Sequence, residues 1–184
     1  IGLFVFMFVF MTGSMSLLAE RTFGTRERLL ATPARGWQVA GGYLLGFGLV
    51  ALLYTAATIV FAVYVIGFPN EGSPLLVAVL AVSMAAVSLT LGLAVSGLAR
   101  SPFQVIQLLL VFVMPQLMLS GIFDLSQTPA WLRAVASVLP LGYGAEALRD
   151  VMLRGAGLEA IAASLSIMWG FALACLSMRR PQAR

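Results

Sequence analysis

The sequence contains no lysine and no histidine, and it has few charged residues of any kind. Of its 184 residues, 10% are charged and 61% are hydrophobic. A soluble domain carries about 25% charged residues. A chain this apolar has too little polar surface to cover itself in water, so we expect it to lie in a lipid bilayer.

The missing residue types exclude several kinds of chemistry. Without histidine the chain has no imidazole base, imidazole metal ligand or pH switch. Without lysine it cannot form the P-loop of an ATPase, whose lysine reaches the β- and γ-phosphates. The single cysteine, Cys175, makes neither an internal disulfide nor a metal site by itself. We therefore predict no catalytic residue, no cofactor and no metal in this chain.

Five segments are apolar and long enough, or nearly so, to cross about 30 Å of hydrocarbon as helices. They comprise residues 1–19, 39–66, 75–99, 103–121 and 158–178. The predicted fold class is therefore all-α, a polytopic membrane protein. Pro115 lies inside the fourth segment and should kink that helix. Because Ile1 stands inside an apolar run, we expect the natural N-terminus to lie upstream.

The arginines are divided unequally between two sets of connecting segments. Residues 20–38, Arg100 and the C-terminal tail together hold eight arginines. The 67–74 loop and the 122–157 connector hold three arginines and four acidic residues. The positive-inside rule places the first set in the cytoplasm, so we predict a cytoplasmic C-terminus. Five spans, an odd number, place the two ends of the chain on opposite sides of the membrane, which agrees with residue 1 outside and the C-terminus inside.

Two connecting segments are too charged to cross the membrane. Residues 20–38 should form a short amphipathic helix at the cytoplasmic face that stops near Pro33. In the 122–157 connector, Thr128 should cap one short helix, Pro140 should break it, and Gly155 should end a second. A sixth span here would bury four charged side chains at considerable cost, so both helices should lie at the outer interface.

The cores of the five predicted spans hold only mildly polar side chains. An ion-coupled transporter usually keeps an ionisable group within the membrane, so the sequence argues against that class. Gln104 and Gln107 share a helix face, and Gln116 follows on the same span. These glutamines either make hydrogen bonds between helices or, with Pro115, line a substrate path.

Two motifs resemble known segments of one family. Residues 20–33 read ERTFGTRERLLATP, which is similar to the cytoplasmic E-R-x-x-G-T-x-E-x-L-x-x-T-P segment of ABC-2 type transporter permeases. Residues 119–149 are similar to the outer-face segment of that family, L-S-G-x-F…P-x-W-L…P-L-x-Y-x-x-E-A-L-R. The resemblance covers nearly the whole chain. Within the family, the chain resembles bacterial multidrug and antibiotic-resistance permeases.

The resemblance implies a permease that pairs as a homo- or heterodimer and docks two ATPase subunits, which bind the ATP and magnesium. The cytoplasmic segment would be the coupling helix that fits a groove on the ATPase. The residues that match it are Glu20, Arg21, Gly24, Thr25, Glu27, Arg28, Thr32 and Pro33. The family's usual first span is missing, so the five spans should be the second to sixth of six. A fused N-terminal ATPase remains an open alternative.

The outer segment of the family is a re-entrant helical hairpin near the exit of the translocation path. The residues that match it are Gly121, Trp131, Leu132, Pro140, Tyr143, Glu146 and Arg149. Glu146 and Arg149 are three residues apart and could pair on the surface of the hairpin.

The predicted function is export of a hydrophobic or amphipathic, drug-like compound across a bacterial inner membrane, driven by a partner ATPase. One alternative is export of a lipid-linked glycan, whose path should be richer in aromatic and hydrogen-bonding groups. A different class is a non-transporting scaffold or sensor, in which Glu27 and Arg28 could be changed without loss of transport. A membrane enzyme is disfavoured because catalytic groups are lacking. Membrane lipid is an expected neighbour and nucleic acid is not.

Overall fold

The computed structural model describes residues 2–24, 36–67, 71–122, 129, 131–132 and 137–178. Over these residues the chain is helical and has no β-strand. The helices are α1 (Gly2–Thr22), α2 (Gly36–Val60), α3 (Pro74–Val95), α4 (Pro102–Leu117), α5 (Pro140–Arg154) and α6 (Leu158–Met178). Two π-helical stretches continue α2 and α4, which we call the first π segment (Phe61–Val65) and the second π segment (Met118–Ile122).

Among the described residues, five helical stretches are long and apolar enough to cross a membrane. They are Gly2–Glu20, Leu45–Val65, Pro74–Val95, Pro102–Ser120 and Leu158–Ser177. The predicted all-α fold with five such helices is confirmed. The remaining helix, α5, has 15 residues and carries charged side chains on one face, which is too short and too polar for a span.

Helix α3 lies at the centre of the bundle, and most of its residues are buried. It runs parallel to α1, because Gly2 of α1 meets Met84 and Gly13 meets Leu89 farther along α3. At Gly92 the two backbones come so close that an added Cβ atom would lie 2.8 Å from the carbonyl oxygen of Phe10. Small residues permit this approach, which holds helices together in lipid where hydrophobic burial does not.

Two hydroxyl groups join α1 and α3 directly. The Ser14 Oγ donates a hydrogen bond to the carbonyl oxygen of Gly92 at 3.0 Å, and the Ser88 Oγ donates to that of Phe6. Both serines are buried. Because both hydroxyls are buried, each needs a hydrogen-bond partner, and these two bonds set how far one helix can slide along the other.

One face of α4 packs against the core and the opposite face is exposed. Its buried side chains are Val105, Leu109, Val113 and Gln116, a spacing of three to four residues that is typical of one helix face. Pro115 lies inside α4, and the helix changes from α to π at Met118. The proline was predicted to kink this span, and the change in winding follows it directly.

Helix α5 lies at the end of the bundle where α1 and α3 begin. Gly144 packs on the side chain of Met84, which also touches Gly2. Pro140 is the first helical residue, a position that suits proline because its missing N–H would be unpaired there. Gly155 ends the helix with a φ of +63°, a left-handed conformation that glycine adopts without strain. The predicted stop at Gly155 is confirmed.

Candidate functional site

The predicted coupling segment begins within α1. Helix α1 continues through Thr22, so Glu20 and Arg21 belong to its last turns rather than to a separate segment. Gly24 follows with a φ of +69°, which turns the chain away from the helix axis, as glycine allows. The other proposed coupling residues lie outside the described residues: Thr25, Glu27, Arg28, Thr32 and Pro33.

The described residues of the predicted outer hairpin belong to three pieces of the chain. Gly121 lies in the second π segment. Trp131 and Leu132 are helical, with Trp131 exposed and Leu132 partly buried. The predicted helix starting at Thr128 otherwise lies mostly outside the described residues, so its extent remains a prediction.

Helix α5 carries the remaining hairpin residues. Pro140 begins the helix, and the hydroxyl of Tyr143 donates a hydrogen bond to the carbonyl oxygen of Ser137 at 2.7 Å. This bond ties the first turn of α5 to the chain that precedes it. Glu146 and Arg149 lie on the exposed face of the helix.

The ion pair on α5 differs from the one that the sequence suggested. Arg154 donates to the Asp150 carboxylate at 2.5 Å, and among the described residues Glu146 and Arg149 form no such pair. Asp150 and Arg154 are four residues apart, with the arginine near the helix C-terminus, where a positive charge is favourable. Because this pair is exposed, it contributes at most about 1 kcal/mol.

The glutamines of α4 occupy three different environments. The Oε1 of Gln104 accepts a hydrogen bond from the backbone N–H of Arg100 at 2.6 Å, which helps to cap the helix start. Gln107 is exposed on the face that no described helix covers. Gln116 is 2% exposed, and its Nε2 donates to the carbonyl oxygen of Phe112 at 3.0 Å.

These glutamines do not form one cluster. Gln104 and Gln116 are about 18 Å apart along the axis, at 1.5 Å per residue. The Oε1 of Gln116 has no hydrogen-bond partner among the described residues. An unpaired buried amide oxygen costs about 1–3 kcal/mol, so Gln116 is the candidate path residue whose surroundings are most unusual.

The structure contains a cleft that sequence reasoning missed. It has no space that would admit even a water molecule, and its lining residues are Val9, Thr12, Gly13, Phe47, Val50, Ala51, Tyr54 and Leu89. The cleft lies between α1, α2 and α3, and Tyr54 stacks on Phe8 at 5.9 Å between ring centroids. No sequence pattern marks these residues, because the cleft exists only where three helices meet. None of the predicted path residues line it.

The cleft is too small for a drug-sized molecule, because ligand pockets enclose about 300–1,000 Å³. The cleft also has little ability to donate hydrogen bonds to a ligand, because the Thr12 hydroxyl already donates to the carbonyl oxygen of Phe8 in its own helix. In the part of the chain that the structure describes, no group of three or more cysteine, aspartate or glutamate residues could hold a metal ion.

The fold and these features define a multi-pass helical membrane protein, with five membrane-length helices and a short amphipathic helix at one end. The chain belongs to the ABC-2 type transporter family, whose sequence profile matches residues 1–153. It is thus the ABC-2 permease part of an ABC transporter. No solved structure matches the chain significantly.

Several curated proteins are similar to the chain. It is 33% identical over 147 residues to ABC transporter G family member 20 of Dictyostelium discoideum, covering 79% of this chain and 20% of that protein. It is 30% identical over 156 residues to the inner membrane transport permease YhhJ of Escherichia coli (strain K12), covering 83% and 41%. It is 25% identical over 167 residues to the linearmycin resistance permease protein LnrN of Bacillus subtilis (strain 168), covering 90% and 43%. The chain therefore spans less than half the length of these relatives.

Proposed function

We propose that this chain is the membrane permease of a bacterial inner-membrane exporter that moves hydrophobic or amphipathic compounds. ATP hydrolysis on a partner ATPase would drive it. The observation that carries the proposal is the family match over residues 1–153. Relatives of the chain are named as a linearmycin resistance permease and as a probable multidrug ABC transporter permease, which favours a drug-like substrate over a glycan.

The membrane-length helices support an energy source outside the membrane. The described spans carry their charged residues only at their ends, as with Glu20 and Glu159. A proton-coupled carrier usually needs a titratable group within the span. The mildly polar spans also suit an apolar cargo, because a glycan path needs many hydrogen-bonding groups.

The substrate path would form between two copies of the permease. The cleft within one copy is smaller than a drug-sized pocket. Gln107 is exposed on α4 between the exposed side chains of Phe103 and Leu110. A side-chain amide facing lipid lacks hydrogen-bond partners, so a second copy or a solvated path beside this face would be more favourable.

The coupling segment would transmit the movement of the ATPase to α1 and α2, which it joins. The test is co-purification of the full-length chain in mild detergent, comparing wild type with Glu27→Arg/Arg28→Glu. We expect a P-loop ATPase to co-purify with wild type, and the variant to lose it or to lose the coupling of ATPase activity to transport.

A matched control reverses another pair of charges at the opposite end of the bundle. Asp150→Arg/Arg154→Asp exchanges an exposed ion pair and should retain the ATPase. If no ATPase co-purifies with wild type, under conditions that keep a known exporter intact, the exporter proposal is wrong and the scaffold alternative is favoured.

The substrate class is tested separately by susceptibility. Cells that express the full-length permease with its ATPase should tolerate higher concentrations of amphipathic antibiotics than cells with the Glu27→Arg/Arg28→Glu variant. Unchanged antibiotic tolerance, together with altered surface glycan, would instead support the glycan alternative.

A further inference from the structure

The turn that joins α3 to α4 is held in place by hydrogen bonds. Just after α3, the N–H of Ser96 donates to the carbonyl oxygen of Gly92, and the N–H of Leu98 donates to that of Val95, both at 2.9 Å. The buried hydroxyl of Ser96 donates to the carbonyl oxygen of Leu93 at 2.7 Å. The fold therefore sets the directions of the side chains that this turn carries.

The middle of the turn is anchored to two neighbouring helices. Ala99 is 5% exposed and forms a small buried cluster with Leu18 of α1 and Val105 of α4. The next residue, Arg100, donates its backbone N–H to the side chain of Gln104, so this bond leaves the guanidinium group unused. The backbone between α3 and α4 is thus fixed at the end of the bundle where α1 also ends.

Three side chains of this region are left exposed, and we call them the basic turn. Leu98 is 66% exposed and Phe103 is 67% exposed, and Arg100, which lies between them in sequence, is exposed as well. No acidic side chain among the described residues pairs with Arg100. The basic turn therefore offers one positive charge, without a protein counter-charge in the described chain, together with two apolar side chains.

The basic turn lies at a membrane boundary. It joins two helices of membrane-spanning length, Pro74–Val95 and Pro102–Ser120. Leu98 lies three residues beyond the first helix and Phe103 is the second residue of the other, so both lie near the edge of the hydrocarbon. An arginine at this depth keeps its apolar stem in the lipid and its guanidinium among the headgroups.

This chemistry fits an anionic phospholipid. A guanidinium binds a phosphate through two parallel hydrogen bonds, and acyl chains cover exposed apolar side chains. A free phosphate would bind Arg100 but leave Leu98 and Phe103 in water. A zwitterionic headgroup carries its own cation, which competes with Arg100 for the phosphate, whereas an anionic headgroup leaves the phosphate charge for the arginine.

We propose that the basic turn binds an anionic phospholipid of the adjacent leaflet, with the lipid phosphate on Arg100 and the acyl chains against Leu98 and Phe103. Because Ala99 fixes the turn to α1 and α4, a lipid held here sets the position of three helix ends relative to the membrane surface. Any effect of this lipid on transport rests on the proposed function, whereas the binding itself does not.

The experiment identifies what touches Leu98 by photocrosslinking. The full-length chain carrying Leu98→p-benzoylphenylalanine is placed with its ATPase in nanodiscs that contain phosphatidylglycerol and phosphatidylcholine in equal amounts, with the same acyl chains. The matched control is Leu75→p-benzoylphenylalanine, because Leu75 is 72% exposed at the other end of α3 and lies near Glu71 in sequence rather than near an arginine. After irradiation, mass spectrometry identifies and counts the adducts.

We expect phosphatidylglycerol adducts to outnumber phosphatidylcholine adducts at Leu98, and the two to be nearly equal at Leu75. Arg100→Gln should lower the ratio at Leu98 about fivefold, which is the attraction expected of one arginine at an anionic membrane surface. Arg149→Gln, which removes an exposed arginine of α5, should leave that ratio unchanged. Added salt should lower the wild-type ratio by screening, whereas inorganic phosphate at constant ionic strength should not change it.

Equal adducts with the two lipids at Leu98 would overturn the proposal, and so would crosslinks to the ATPase or to a second permease copy in place of lipid. Loss of the preference on adding inorganic phosphate would show that Arg100 holds a free anion instead. If Arg100→Gln does not fold, a wild-type ratio that salt leaves unchanged would equally overturn the lipid site. Failure of the proposed function would appear differently, as absent ATPase binding and absent transport, whatever the lipid adducts.

Discussion

Single residues set where the helices of this permease begin. Ser101 precedes α4, and its Oγ accepts a hydrogen bond from the N–H of Gln104 at 3.3 Å. Ser73 precedes α3 and makes no such bond, although a proline follows both serines. The pattern Ser-x-x-Gln at residues 101–104 is a capping signal that can be read from sequence.

The two serines provide a matched pair of variants. Ser101→Ala should destabilise the protein by about 1 kcal/mol, because an N-cap serine satisfies a backbone donor that is otherwise unpaired. Ser73→Ala should cost less, since no side-chain bond is lost. The measurement is unfolding of the full-length chain by a denaturing detergent titrated into mild detergent micelles. Equal loss for both variants would contradict a capping role for Ser101.

At the scale of elements, the pairing of α1 with α3 organises the bundle. Ser14 and Ser88 each donate across this interface to a backbone carbonyl of the other helix. The hydroxyls of Ser166 and Ser177 instead donate to their own helix, to the carbonyl oxygens of Ala163 and Ala174. The hydrogen bonds of Ser14 and Ser88 therefore join two helices, whereas those of Ser166 and Ser177 do not.

This difference predicts unequal effects on stability. The double variant Ser14→Ala/Ser88→Ala should lose about 1 kcal/mol, because hydrogen bonds between membrane helices average roughly 0.6 kcal/mol each. The control double variant Ser166→Ala/Ser177→Ala should unfold at nearly the wild-type detergent fraction. If the control were destabilised as much as the first pair, the interface bonds would not be what holds α1 to α3.

At the scale of the whole molecule, the bundle has two distinct ends. Glu71 lies before α3 at the end that carries α5, and Arg100 lies after α3 at the other end; both are exposed. Helix α3, which separates them, is long enough to cross the membrane. The distribution of arginines predicts that the Arg100 end faces the cytoplasm.

This orientation can be tested by cysteine labelling in a Cys175→Ala background. A membrane-impermeant maleimide should label Glu71→Cys in cells whose inner membrane is intact, and Arg100→Cys only after that membrane is permeabilised. Cys175→Ala alone should remain unlabelled throughout. Labelling of Arg100→Cys before permeabilisation, with Glu71→Cys protected, would reverse the predicted topology.

The number of spans, the fold class and the family could be read from the sequence. These properties depend on the length and polarity of consecutive residues and on two local motifs, because a helix in lipid must satisfy its own backbone hydrogen bonds. The stop of α5 at Gly155 was also predictable from local sequence, because a left-handed helix end favours glycine. The ion pair of α5 was not, because several charged residues lie within reach of one another on that helix.

The environment of each polar residue was decided only by the tertiary structure. Gln107 and Gln116 are nine residues apart, so the helical repeat alone places them on opposite faces of α4. Nothing in that repeat says which face meets α1 and α5, and the packing buries Gln116 while it leaves Gln107 exposed. The parallel pairing of α1 with α3 likewise depends on residues distant in sequence. Whether a polar side chain finds a hydrogen-bond partner depends on the neighbours that packing brings to it.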